Sequence, residues 1–153
     1  VTPSPVDPWQ RRYPARPFLA ASVAVVRDGR VLVAARGRPP MQGVFSLPGG
    51  LVEPGETLAG AALRELREEV GLAAEIVAVL APLEIIERDG GGVLHHYVVL
   101  PHAARWTGGE PATGPEALSL RWVDAAEVLA LVTTAGLPAV IAGALAAVAG
   151  AAA

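Results

Sequence analysis

Three closely spaced glutamates carry most of the chemistry that this sequence can do. Glu65, Glu68 and Glu69 lie three and four positions apart. On an α-helix that spacing puts Glu65 and Glu69 on one face, with Glu68 at its edge. A helix is predicted over Thr57–Val70. The stretch has no proline and no glycine beyond Gly60, Thr57 stands where an N-cap belongs, and Gly71 stands where a helix stop belongs. Leu58, Ala62, Leu66 and Val70 form a second stripe that can face a core. Two carboxylates about 5 Å apart repel each other by roughly 3 kcal/mol at an effective dielectric of about 20, so such a cluster needs a counter-charge. On the helix alone two readings stand. One is a solvated charged face in which Arg64 and Glu68 form an i,i+4 pair. The other is a site for a divalent cation, because hard, anionic oxygen ligands suit Mg²⁺ or Mn²⁺.

The residues before the helix favour the second reading. Pro48-Gly49-Gly50 lets the backbone approach closely and leaves carbonyl oxygens available as ligands. Glu56, eight residues before Arg64, can pair with it and tie the loop to the helix. The formal net charge is −3, and the window Gly50–Leu72, with five glutamates against two arginines, holds all of it.

In order, the segment reads Gly50, five residues, Glu56, seven residues, Arg64-Glu65-Leu66, one residue, Glu68-Glu69, one residue, Gly71-Leu72. This resembles the Nudix box at every fixed position. The likeness extends more loosely into Val44–Glu53, Ile85–Asp89, His96–Val98 and Arg121–Val123, and so to about residues 18–132. Those outer segments resemble an ADP-ribose pyrophosphatase-like subgroup. The resemblance implies an α/β (α+β) fold, an α/β/α sandwich with a mixed β-sheet and the box as a loop–helix–loop. It also implies hydrolysis of a nucleoside diphosphate linked to another moiety, with Mg²⁺ (or Mn²⁺) as cofactor and a small-molecule nucleotide as substrate. Carried over by position, Glu65 and Glu69 match the principal metal ligands, Glu68 an auxiliary ligand or base, and the Gly49 carbonyl a backbone metal contact. Gly50, Glu56, Arg64 and Gly71 match the structural positions of the box. Glu116, in the loop before a strand ending near Trp122, is a candidate further base. Arg36 is a candidate phosphate contact or a solvated strand-end arginine. Phe45 is a candidate for stacking on a base or for the core, and Glu53 for the metal shell or for capping its turn.

The elements that must hold this segment are legible in outline. Leu19–Val26 and Arg30–Arg36 read as strands joined by Asp28-Gly29, a strong hairpin signal. Val44–Leu47 reads as a short strand, and Leu51–Glu56 as a turn-rich connection. Glu75–Arg88 and Val93–Leu100 are β-rich runs joined by Asp89-Gly90-Gly91-Gly92. Pro101–Pro115 is expected to be a loop, Ala117–Val123 a strand, and Asp124 the N-cap of a helix through Ala130. His95 and His96, as strand neighbours, face opposite sides. A C-terminal alanine-rich helix over about 138–150 is expected to pack on the sheet through Leu137, Val140, Ile141, Leu145 and Val148, with no membrane role. Residues 1–17 read as a proline-rich N-terminal arm and 18–153 as one domain.

Composition excludes several alternatives. Hydrophobic residues make up 52% and charged residues 18%, which is enough for a core and too apolar for bulk disorder. Cysteine is absent, which removes disulfides, zinc-thiolate and iron–sulfur sites and a thiol nucleophile. It also argues against the NADH pyrophosphatases, which the resemblance associates with a four-cysteine zinc site. Every basic residue is arginine, so a Walker-type lysine and Schiff-base chemistry are excluded. The net negative charge argues against a nucleic-acid partner. The expectations are therefore a cytoplasmic hydrolase, with a homodimer left open. ADP-ribose, split to AMP and ribose 5-phosphate, is the first substrate. An oxidised nucleoside triphosphate is the second, and a non-catalytic nucleotide-binding module is the rival from another class.

Overall fold

Valine-rich sequence builds the centre of the sheet. In the computed structural model, which describes residues 11–37, 41–115 and 117–151, strands β1 (Phe18–Arg27) and β2 (Arg30–Arg36) form an antiparallel hairpin. Both turn residues have positive φ, 52° at Asp28 and 74° at Gly29. That is the type I′ turn whose twist matches the strands, and the Asp-Gly pair is suited to it. The chain continues through β3 (Phe45–Ser46), β4 (Gly49–Leu51), α1 (Leu58–Val70), β5 (Ala73–Val79), β6 (Leu83–Asp89), β7 (Gly92–Gly108) and β8 (Ala117–Val123). It ends in a 3-10 turn (Glu127–Ala130) and α2 (Leu137–Ala151).

The strands form one mixed sheet. β1 runs parallel to β7 from Phe18 opposite Tyr97 to Val26 opposite Arg105. The pairs β1–β2, β1–β4, β2–β3, β2–β8, β5–β7 and β6–β7 are antiparallel. β1 is covered on both faces, so its run Ala21–Val26 is apolar apart from Ser22. Ala21, Val23 and Val25 pack with Ala61, Ala62, Leu66 and Val70 of α1. Ala24 and Val26, together with Val31 and Val33 of β2, pack with Leu137, Ile141, Ala144 and Val148 of α2. The architecture is the expected α/β/α sandwich. α2 lies within a residue of its expected bounds at each end, and no helix among the described residues is long and apolar enough to cross a membrane.

Four local expectations are corrected. The segment from Pro101 is not a loop, because β7 runs on to Gly108. Pro101 marks the place where β7 exchanges one antiparallel partner for another, β6 opposite Gly92–Val99 and β5 opposite His102–Gly108. A missing backbone donor is tolerated there. The β-rich run Glu75–Arg88 is two strands with a break around Pro82. Gly49–Leu51 is a short strand, held on Ala20–Ser22 of β1. Asp124 Oδ1 accepts from the backbone N–H of Ala126 (3.0 Å) and Glu127 (2.7 Å), but the N-cap position is Ala126, and the element that follows is a four-residue 3-10 turn.

Residues 1–10 of the proline-rich arm lie outside the described residues. Its last part is docked. Tyr13 donates its backbone N–H to Leu94 O (2.9 Å) and its hydroxyl to the Asp89 carboxylate at the tip of the β6–β7 hairpin. Leu66 is fully buried between α1 and β1. Leu66→Ala is therefore expected to lower stability by about 3 kcal/mol, read as a lower denaturation midpoint at unchanged slope.

Candidate active site

Helix α1 forms where its caps allow. Thr57 Oγ1 accepts from the Gly60 N–H at 2.9 Å, and Gly71, at φ 75°, donates its N–H to Arg67 O at 3.0 Å in a left-handed cap that only glycine adopts without strain. Burying Ala61, Ala62, Leu66 and Val70 turns Arg64, Glu65, Glu68 and Glu69 away from the core. Of these, Glu65 faces β4. A Cβ on Gly50 would collide with the Glu65 carboxylate, and a Cβ on Gly49 would lie 2.6 Å from Ala21 O and 2.8 Å from Ser22 Cα. Gly49 is therefore required by its contact with backbone, whereas a side chain at Gly50 would displace the Glu65 carboxylate. Gly49 keeps β4 against β1, and Gly50 leaves room for the first acid of the helix.

Arg64 is the centre of the arrangement, and all five of its guanidinium N–H donors are used. Nε donates to Glu56 Oε2 at 2.7 Å and Nη2 to Glu56 Oε1 at 2.9 Å, a bidentate pair. Nη2 also donates to Leu51 O at 3.2 Å. Nη1 donates to Glu65 Oε1 at 2.9 Å and to Glu68 Oε2 at 3.2 Å. Glu56 is fixed from its other side by the Glu53 N–H, 2.9 Å from Oε1, while its own N–H donates to Glu53 O at 3.0 Å. The Arg64 hydrogen bonds, with that of the Glu53 N–H, hold the Glu56 carboxyl down at a pKa of about 2, from an ordinary 4.5. The same pairing, led by Glu56, raises the Arg64 guanidinium, which stays charged.

The fold distributes the expected site residues unevenly. Glu65 is largely covered, its side chain 17% exposed, whereas Glu68 is 56% exposed. Glu69 is half-buried. Glu53 stands 3.9 Å from Arg64 at the rim and is exposed. Arg36 is exposed at the end of β2, opposite Ala117 beside a bulge in the β2–β8 pairing. Phe45 is half-buried and packs against the α2-side core. Glu116 lies outside the described residues.

Of the three carboxylates on α1, that of Glu65 lies against the glycine strand. Hard anionic oxygens of this type suit Mg²⁺ or Mn²⁺. Arg64 Nη1 already bridges Glu65 and Glu68. Among the described residues, no three acids or histidines converge on one point. The i,i+4 pair of the first reading, Arg64 with Glu68, is thus present and embedded in the ion-pair network around Arg64.

One supporting residue escaped the sequence reading. His102, on β7, is fully buried, with Nδ1 3.1 Å from Ser22 O. A carbonyl only accepts, so Nδ1 carries the proton. Ser22 is the cross-strand partner of Gly49, so this imidazole braces β1 directly behind the glycine strand. No alternation past Pro101 marks it, because His102, Ala103 and Ala104 are all buried in succession. His95, by contrast, bonds Glu87 on the exposed hairpin at 3.1 Å.

Comparison with known proteins bears on this geometry. Residues 16–142 match the family profile of the NUDIX domain. An ADP-ribose pyrophosphatase of Methanocaldococcus jannaschii is 32% identical over 108 residues, 71% of this chain and 62% of that protein. The chain thus spans less than two thirds of this relative's length. A putative 8-oxo-dGTP diphosphatase 2 of Mycobacterium tuberculosis is 41% identical over 108 residues, 69% of this chain and 72% of that protein. The crystal structure of a MutT NUDIX hydrolase from Burkholderia pseudomallei superposes with a TM-score of 0.72 at 31% identity, covering 87% of this chain and 98% of the other.

The depressed Glu56 pKa sets a pH dependence. The folded protein holds this proton more weakly than the unfolded chain. The pair's stabilisation is therefore complete above pH 4.5 and lost as pH falls toward 2. Glu56→Gln is expected to lower Tm by about 3 °C or more at pH 7, and the gap between wild type and variant should close as pH falls below 4.5. A gap independent of pH would show that the Glu56 charge contributes nothing.

Proposed function

This chain belongs to the Nudix family, and from that membership we propose that it is a divalent-metal-dependent pyrophosphohydrolase of nucleoside diphosphate derivatives, with ADP-ribose as first substrate. The observation that carries the reading is the acidic face of α1, held by the five-bonded Arg64 next to Gly49-Gly50. Relatives named ADP-ribose pyrophosphatase and 8-oxo-dGTP diphosphatase support pyrophosphate-bond chemistry.

A diphosphate is anionic and resists attack by water, so the site must bring positive charge to it. Glu65 and Glu69, with Glu68 and the Gly49 carbonyl beside them, would hold Mg²⁺ or Mn²⁺. When bound, such an ion supplies charge neutralisation at the diphosphate oxygens and lowers the pKa of the attacking water. The chain itself supplies position. Arg64 and Glu56 tie the loop to the helix, so the backbone that carries the site residues is held in place. Glu68, the most exposed of the acids that Arg64 binds on the helix, is the proposed proton acceptor, with Glu116 as the alternative. Arg36 is the proposed contact for a phosphate, and Glu53, at the rim of the network, the proposed addition to the metal shell.

A second substrate reading, an oxidised nucleoside triphosphate, is favoured by the 41% identical mycobacterial relative. Products separate the two. AMP with ribose 5-phosphate supports ADP-ribose hydrolysis, whereas pyrophosphate released from an 8-oxo nucleotide supports the second reading. Binding of nucleotides by calorimetry with no turnover of either would contradict the enzyme and leave a binding module.

Glu69→Gln is expected to lower kcat about a hundredfold or more while the fold persists, measured by product formation and by thermal melting of the same sample. Chelation should abolish turnover, and added Mg²⁺ should restore it. Unchanged turnover in the variant would refute the ligand assignment.

A further inference from the structure

The β6–β7 hairpin ends the sheet on one side. β6 pairs with β7 from Leu83 opposite Val99 to Asp89 opposite Gly92, and no second strand pairs with it among the described residues. Every residue of β6 after Leu83 is exposed, including Ile85 at 38% and Ile86 at 44%. An edge with isoleucine on both faces and open backbone groups is a template for another strand.

The charges on β6 say which strand. Asp89 is taken by the Tyr13 hydroxyl and Glu87 by His95. Glu84 and Arg88 make no ion pair among the described residues. They lie four apart with Ile86 midway, all three on one face of the strand. Antiparallel pairing of β6 with a copy of itself about a two-fold axis through Ile86 sets isoleucine against isoleucine. It also sets Glu84 against Arg88 of the second copy, twice. Neighbouring registers lose this. Centred on Ile85, Glu84 meets Ile86 and Arg88 meets Pro82. Centred on Glu87, two glutamates oppose each other and Ile85 meets Asp89.

We propose that β6 is the interface of a two-fold homodimer, in which two hairpins join their sheets edge to edge in the Ile86-centred register, with reciprocal Glu84–Arg88 pairs. Such an interface is isologous, so each charge substitution acts at two symmetric places. It leaves α1 and β4 outside the contact, so assembly is read separately from catalysis.

The test is molar mass by light scattering across a dilution series, for wild type, Glu84→Arg, Arg88→Glu and the double swap. The wild type is expected to be a dimer. Each single swap should weaken it about tenfold or more by opposing like charges, and the double swap should restore the wild-type dissociation constant. Thermal melts at dilutions where every protein is monomeric control for folding. Both substituted side chains are exposed, so these melts should coincide. A wild type monomeric at all concentrations would overturn the proposal. So would a dimer indifferent to the single swaps, or a double swap no better than either single one.

Discussion

One guanidinium organises the site. Arg64 makes five hydrogen bonds to four residues, two of them before the helix in sequence and two on it. A flexible loop rich in glycine and proline has no reason of its own to stay near the carboxylates of α1. The bidentate grip on Glu56 and the bond to Leu51 O provide it. The same cation offsets the repulsion among Glu56, Glu65 and Glu68, which would otherwise oppose folding of this segment. Lysine, with three donors on a point charge, cannot make this set.

The sheet supplies the rest of the rigidity. β1 is buried between α1 and α2, and it carries β4 on one edge and β7 on the other. Gly49 is pinned there by contacts too close for any side chain, and His102 reaches from β7 to the carbonyl of Ser22, the residue opposite Gly49. The position of the glycine strand relative to α1 therefore depends on two strands, one helix and one buried imidazole, which together leave it little freedom.

How much of this was legible in sequence depends on range. The box is a set of local spacings. Helical geometry converts Glu65, Glu68 and Glu69 into one acidic face, and Glu56 stands just before the helix within reach of Arg64, so the helix, its caps and the Arg64–Glu56 pair could be read directly. The Asp28-Gly29 hairpin and α2 were legible for the same reason. What could not be read is what depends on distant partners. Pro101 looks like a breaker because its missing N–H is visible, whereas the change of strand partner that makes it harmless is not. His102 lay in a segment expected to be a loop, so its role behind Gly49 had no local sign. Phe45 shows the limit for single aromatics. The sequence allowed a stacking role or a core role, and its ring is set against the α2-side core by β3 and the chain beyond the 3-10 turn.

If the clamped acidic face of α1 holds a divalent cation, the ion should bind there in the absence of any substrate. Titration with Mn²⁺ followed by electron paramagnetic resonance reads this binding. The wild type should show saturable loss of the free-ion signal. A Glu65→Gln, Glu69→Gln variant that melts at a similar temperature should show no such loss. Equal binding by the two proteins would place the ion elsewhere and remove the basis of the proposed chemistry.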